Sequence, residues 1–331
     1  MVIAMPERMI FSLGLILSGL LFGYTIKLLT EAGSIKLPVD LEVLRKTLQK
    51  GVLLFVIPVS VIGALWIVSF DDRRLAFLPL LGASHYITGG LLALTAARIM
   101  KLDRKKTGTF FCCGFFTNIG AVGGLITYML LGERGYALVP VYKLFAEMIY
   151  YSMGFPVARY YSFPGENKES VRGILKRLSR DIFIKVAISA ILCGTILNIS
   201  GIDRPEFYRT INAVFIPLGT FTMLTAIGMG MRFGRVRSYL RECLVVLLIK
   251  SVFLPLILIS VSILIGFNGI WGGLPLKVVI ILSFMPVAFI TLVPASIYDL
   301  DLDLANACWL VSTFSMILVI PLICRLISLA G

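Results

Sequence analysis

A single histidine, His85, occurs in 331 residues, so no centre built on several histidines can form. None of the six cysteines stands in a CxxC pair, and the chain has neither an HExxH nor a GxxxxGK(S/T) run. These absences count against zinc modules, zinc proteases and nucleotide-driven transport within this chain. Paired carboxylates and Ser/His/Asp sets are also missing from the apolar segments, so no enzyme, cofactor or metal is expected. Charged residues make up only 15% of the chain, and no polar stretch is long enough to form a soluble domain. The cysteines, Cys112, Cys113, Cys193, Cys243, Cys308 and Cys324, lie in or beside apolar runs. They read as small packing residues rather than disulfides or metal ligands.

Apolar sequence fills the space that these groups leave. Hydrophobic residues account for 58% of the chain and the mean hydropathy is +0.95, against about 45–50% apolar residues in a soluble domain. Apolar runs recur from end to end, which predicts an all-α polytopic membrane protein. The net charge of +13 does not point to nucleic acid, because the basic residues sit in short loops between apolar spans. The first run, Met9–Leu29, is too long for the core of a cleaved signal peptide.

Ten transmembrane helices are expected. The first five are Met9–Leu29, Leu48–Phe70, Leu75–Met100, Thr107–Leu131 and Tyr136–Tyr160. The second five are Asp181–Ser200, Tyr208–Met231, Leu240–Gly266, Gly273–Tyr298 and Leu304–Ala330. The halves, 1–160 and 181–331, flank a polar linker at 161–180, expected on the cytoplasmic side. Prolines recur in matching places, Pro58 with Pro217 and Pro156 with Pro321. Five spans is an odd number, so the second half enters with opposite orientation and the halves form an inverted repeat. With the N-terminus outside, 21 basic residues fall on the inner side and 8 on the outer. That bias predicts both termini on the outer side of the cell membrane. One inner loop dissents, carrying Asp299, Asp301 and Asp303 without a basic residue. It lacks the glycine and final glutamate of a calcium loop and reads as solvated.

Two spans carry helix-breaking sequence at their centres. The fourth is interrupted at Thr117-Asn118-Ile119-Gly120, with Gly123 and Gly124 beyond; the ninth is interrupted at Pro286 and Pro294. Broken helices in corresponding places of two halves point to a transporter's binding site. The second half of a broken helix begins with unpaired NH groups that suit a carboxylate. Asn118 can donate and accept there, Gly120, Gly123 and Gly124 permit close approach, and Pro286 frees a carbonyl one turn back. The bland alternative is that Asn118 caps a kink and the glycines pack. Four ionisable residues also fall within spans: His85, Lys143, Glu147 and Lys250. They are candidates for proton coupling or intramembrane charge. Lys143 stands four residues before Glu147 and is expected to pair with it on one helix face. His85 is a proton switch or a buried hydrogen-bonded histidine. Lys250 is expected near the membrane edge with its amine turned to the interface.

The fourth span, FFTNIGAVGGLITYMLLGERG, resembles the Asn-x-Gly crossover of the auxin efflux carrier family. The ninth, from Phe284, Met285 and Pro286 onward, resembles that family's Met-Pro crossover. Ile188–Met231, and Lys250 followed by Pro255, are similar to its sixth to eighth helices. The resemblance covers nearly the whole chain. It implies two inverted five-helix repeats with crossed, broken helices 4 and 9. Helices 1, 2, 6 and 7 would form a scaffold through which a homodimer assembles, and helices 3–5 and 8–10 an elevator-like transport domain. It adds Met285 to the substrate site, and implies small organic anions, auxin-like or dicarboxylate, moved by uniport or with protons. Sodium coupling of the bile acid symporter type is disfavoured, since Phe284–Tyr298 contains no Glu or Gln. A membrane sensor or lipid receptor on the same fold is the remaining alternative.

Overall fold

The computed structural model describes residues 5–68, 72–162, 180, 182–231 and 236–329. The expected linker at 161–180 lies outside the described residues except for 161, 162 and 180; Tyr161 and Ser162 end a helix. The described chain is helical, and its one β-type feature is an isolated antiparallel bridge between Thr117 and Val287.

Among the described residues, six helices are long and apolar enough to cross a membrane. They are α1 (Met5–Glu31, spanning from Met9), α2 (Leu41–Leu65), α3 (Leu78–Ile99, within Arg73–Ile99), α7 (Ile182–Ile199), α8 (Phe207–Gly228) and α9 (Val236–Ile265). A seventh span arises if α12 (Leu302–Phe314) and α13 (Met316–Leu329), bent by 47°, count as one. The intervening pieces are α4 (Arg104–Phe115), α5 (Gly124–Tyr142), α6 (Phe155–Ser162), α10 (Leu274–Ser283) and α11 (Leu292–Ile297). The chain is therefore an integral, multi-pass membrane protein.

Three prolines sit just after wide, π-type turns: Pro58 after Val52–Val56, Pro156 after Tyr150–Gly154 and Pro255 after Ile249–Phe253. A proline ring clashes with the carbonyl four residues back and donates no hydrogen bond to it. One extra residue in the preceding turn relieves the clash, so these helices continue through their prolines. Pro294, expected as a second break in span nine, instead falls in the first turn of α11, where no NH donor is required.

The packed chain falls into two compact units that cut across the sequence halves. The first comprises Met1–Asp71, Gly120–Pro140 and Ile182–Arg232; the second comprises Asp72–Ile119, Val141–Asp181 and Phe233–Gly331.

In the first unit α1 lies against α8 so closely that a Cβ on Gly23 would stand 1.9 Å from Thr225 O. The unit also holds an enclosed ion pair. Arg204 Nη2 donates to Glu133 Oε2 at 2.8 Å, with side chains only 10% and 14% exposed. Arg204 Nη1 donates to Gly63 O at 2.8 Å. The preceding Gly132, at φ +70°, turns the chain within α5 so that Glu133 can reach this partner. Removing one member strands the other charge in a poorly solvated place. Arg204→Ala is therefore expected to destabilise the protein by about 3 kcal/mol, read as a lower melting temperature in detergent. The double change Arg204→Ala with Glu133→Gln is expected to recover part of that loss.

In the second unit α3 and α4 meet through glycines. A Cβ on Gly114 would lie 2.3 Å from Gly89 O and 2.5 Å from the Ala93 Cβ. The two backbones touch, which small residues permit between membrane helices. The acidic loop is exposed at Asp299 and Asp303, as a solvated loop should be, but it is tethered at Asp299 and Asp301. Asp299 accepts from Lys105 Nζ at 2.5 Å, and Asp301 accepts from Tyr239 Oη at 3.0 Å and from Leu304 N at 2.9 Å, capping α12. Its acidic residues thus lie among the basic residues at the start of α4, which accounts for an acidic loop on the side expected to be positive.

The fifth span is not a continuous helix. The chain leaves α5 at Tyr142, turns through residues 143–145 and re-enters a helix at Ala146, with Ala146 N donating to Lys143 O at 2.8 Å. Lys143 lies in that turn and Glu147 in the helix after it, so the two share no continuous helix face. Before α3, Arg74 clamps Asp72 at 2.6 Å and holds its carboxyl down to about 2. A lowered carboxyl stabilises the fold fully above the ordinary value of 3.8 and loses that contribution as pH falls toward 2. Asp72→Asn is expected to flatten the acid limb of a melting-temperature profile over that window.

Candidate functional site

The two broken spans cross in the second unit, and their breaks are stitched together by backbone. Asn118 N donates to Pro286 O at 2.9 Å, and Ala288 N donates to Phe116 O at 3.1 Å, on either side of the Thr117–Val287 bridge. A third NH, that of Val287, donates to Ser312 Oγ on α12 at 3.1 Å. Pro286 opens this pattern because it has no NH and its carbonyl is free to accept. The expectation that NH groups at the breaks wait unpaired is therefore corrected at Asn118, Val287 and Ala288. Their donors are spent on holding one break to the other, as buried backbone requires. Asn118, Met285 and Pro286 come together here, and all three are buried.

Lys250 occupies the same place. It is 1% exposed and lies in the wide turn before Pro255. Its Nζ donates to Gly114 O at 2.7 Å, in the last turn of α4, and to Thr117 Oγ1 at 2.5 Å. The expected position at the membrane edge is overturned. The wide turn and the Gly89–Gly114 contact leave the last carbonyls of α4 as acceptors, and a helix C-terminus carries partial negative charge. The ammonium has no carboxylate partner among the described residues. A buried lysine amine is thus tied to the end of a broken membrane helix.

His85, on α3, is fully buried, and its Nδ1 stands 2.9 Å from Tyr142 Oη. Its Nε2 has no hydrogen-bond partner, and His85 lies within electrostatic reach of Lys250. Neither Lys143 nor Glu147 is as deeply enclosed. Of the four intramembrane ionisable candidates, only His85 and Lys250 share one buried neighbourhood.

Gly120, Gly123 and Gly124 begin the second half of span four. Gly120 opens a wide turn, Ile119–Gly123, whose first NH groups have no acceptor within the helix. In the first unit Gly120 and Ala121 line a cavity of about 20 Å³, room for roughly one water. Its walls are apolar, from Val56, Ile57, Phe215 and Ile216, with the hydroxyls of Ser60 and Thr220 and no charged side chain. Gly124 faces the Tyr136 ring, where a Cβ would make an ordinary contact at 3.4 Å. Gly124 therefore serves packing, and Gly120 is the glycine of the three that lines the cavity.

Thr117, Ser312 and Tyr142 escaped notice in the sequence. Thr117 adjoins Asn118 and was within reach of the motif, whereas nothing in the run around Ser312 marks it among ordinary membrane-helix hydroxyls.

Crossed, broken helices enclosing a buried charge are a transporter's features, and the family comparison agrees. A model of the family described as membrane transport protein, that of the auxin efflux carriers, matches residues 44–324. The chain belongs to this family. It is similar to a protein described as an uncharacterized transporter from Methanothermobacter thermautotrophicus, with 24% identity over 308 residues. That alignment covers 91% of this chain and 93% of the relative. The membrane transport protein described here is accordingly a transporter and not an enzyme.

Proposed function

We propose that this membrane transport protein is a secondary carrier for a small organic anion, auxin-like or dicarboxylate, working by uniport or with protons. The observation that carries the reading is the Lys250 ammonium, buried without a carboxylate and held against the broken end of α4. A lysine amine at membrane depth favours an anionic cargo, whose charge stabilises the protonated amine, and in that form it opposes a metal cation in the same place. Asn118, with Met285 and Pro286, is the substrate-facing group in this reading, and His85 is the candidate for proton linkage.

The architecture proposed is ten spans in two inverted five-helix repeats. Helices 1, 2, 6 and 7 form a scaffold and dimer interface, and helices 3–5 and 8–10 an elevator-like carriage in the cell membrane with both termini outside. The turn at residues 143–145 and the change of direction at Gly132 are breaks in span five where such movement can be absorbed.

The reading is tested by melting the detergent-purified protein against mono- and dicarboxylates at two pH values, with and without sodium. A ligand that binds the folded state raises the melting temperature, by about 2.7 kcal/mol of stabilisation at a hundredfold excess over Kd. A carboxylate-dependent rise that does not need sodium is expected. A rise produced by sterols or lipids alone would favour the receptor alternative instead.

A further inference from the structure

The seam between α9 and α12 carries two thiols in contact. Cys243 Sγ and Cys308 Sγ stand 3.8 Å apart, and both residues are buried. They lie on the faces that hold the crossover. On α9, the half-buried Tyr239 and the buried Cys243 and Lys250 follow one another along one face; the half-buried cap Asp301 and the buried Cys308 and Ser312 do the same along α12. Tyr239 Oη reaches Asp301 at 3.0 Å at one end of the seam, while Lys250 and Ser312 hold the two breaks at the other. Cys113 lies on α4, which packs against α12, and is also buried.

We propose that Cys243 and Cys308 are a dithiol modification site, closed to a disulfide by a hydroperoxide. One thiol, as thiolate, attacks the peroxide; the O–O bond breaks, the sulfur becomes a sulfenic acid and water or an alcohol leaves. The second thiol then attacks that sulfur, the S–O bond breaks and a second water departs. Two electrons pass from the sulfurs to the peroxide, and no other reactant is required. Closure draws the sulfurs from 3.8 Å to about 2.05 Å, which fastens α9 to α12 between the loop lock and the groups that hold the breaks. Sequence spacing concealed the pair, because the two residues are 65 positions apart.

The test uses the full chain in detergent with Cys193→Ser and Cys324→Ser, which removes the exposed and half-exposed thiols. After treatment with hydrogen peroxide, a loss of about two hydrogens in mass and a linked peptide joining residues 243 and 308 are expected. Both signals should reverse with a dithiol reductant and vanish in a Cys308→Ser variant that melts within a few degrees of its parent. Oxygen addition without the linked peptide, or linkage of Cys113 to Cys308 instead, overturns the proposal. The readout is mass alone, so failure here leaves the anion-carrier reading untouched.

Discussion

Lys250→Met is expected to reduce anion uptake by more than tenfold while leaving a folded protein. The two effects separate because they have different origins. Methionine fills much of the same space and removes the cost of keeping an ammonium out of water. Against this, Gly114 O and Thr117 Oγ1 lose their donor, at about 1–3 kcal/mol for an unsatisfied buried group. The opposing terms leave a net stability change of roughly 2 kcal/mol or less. Transport has no such compensation, since the amine that the reading assigns to the anion is gone. Uptake into proteoliposomes and the melting temperature of the same preparation check both halves. A variant that melts normally and transports normally would reduce Lys250 to a packing residue.

Asn118→Ala is the second large effect. The backbone bond from Asn118 N to Pro286 O does not involve the side chain, so the stitched breaks survive the change. The lost amide is what the reading assigns to the substrate, and uptake is expected to fall to background with a melting temperature within a few degrees of the parent. Asn118→Asp probes the same position by charge, because a carboxylate there repels an anionic cargo and neutralises Lys250. Carboxylate-induced stabilisation should disappear in both variants. Parent-level uptake in Asn118→Ala would remove this side chain from the site.

Much of this organisation was legible in the chain. The break at Asn118 and the break at Pro286 both occur where the sequence places them, because glycine pairs and an imino acid within apolar runs act locally. What the sequence concealed depends on partners distant in the chain. Lys250 reads as an interfacial residue when its own helix alone is considered, since the acceptors that make its burial tolerable, the Gly114 carbonyl and the Thr117 hydroxyl, are 136 and 133 residues away. Lys143 and Glu147 have helical spacing, but no pattern announces the turn at residues 143–145 that separates them. The acidic loop reads as solvated, which holds for Asp299 and Asp303, but its tethers to Lys105 and Tyr239 come from distant parts of the chain. The NH groups freed by the breaks were expected to await a ligand, yet several are consumed by the opposite break. In each instance the local rule held, and a long-range contact decided what the residue does.

The central claim is that the buried Lys250 amine at the crossed breaks makes this an anion carrier that needs no sodium. It is tested most directly by uptake of a labelled carboxylate, chosen from the melting screen, into proteoliposomes holding either the parent or Lys250→Met. Sodium is present or replaced by an organic cation. The account predicts equal uptake by the parent in both media and a loss of more than tenfold in Lys250→Met. Uptake that requires sodium, or that survives intact in Lys250→Met, would contradict it.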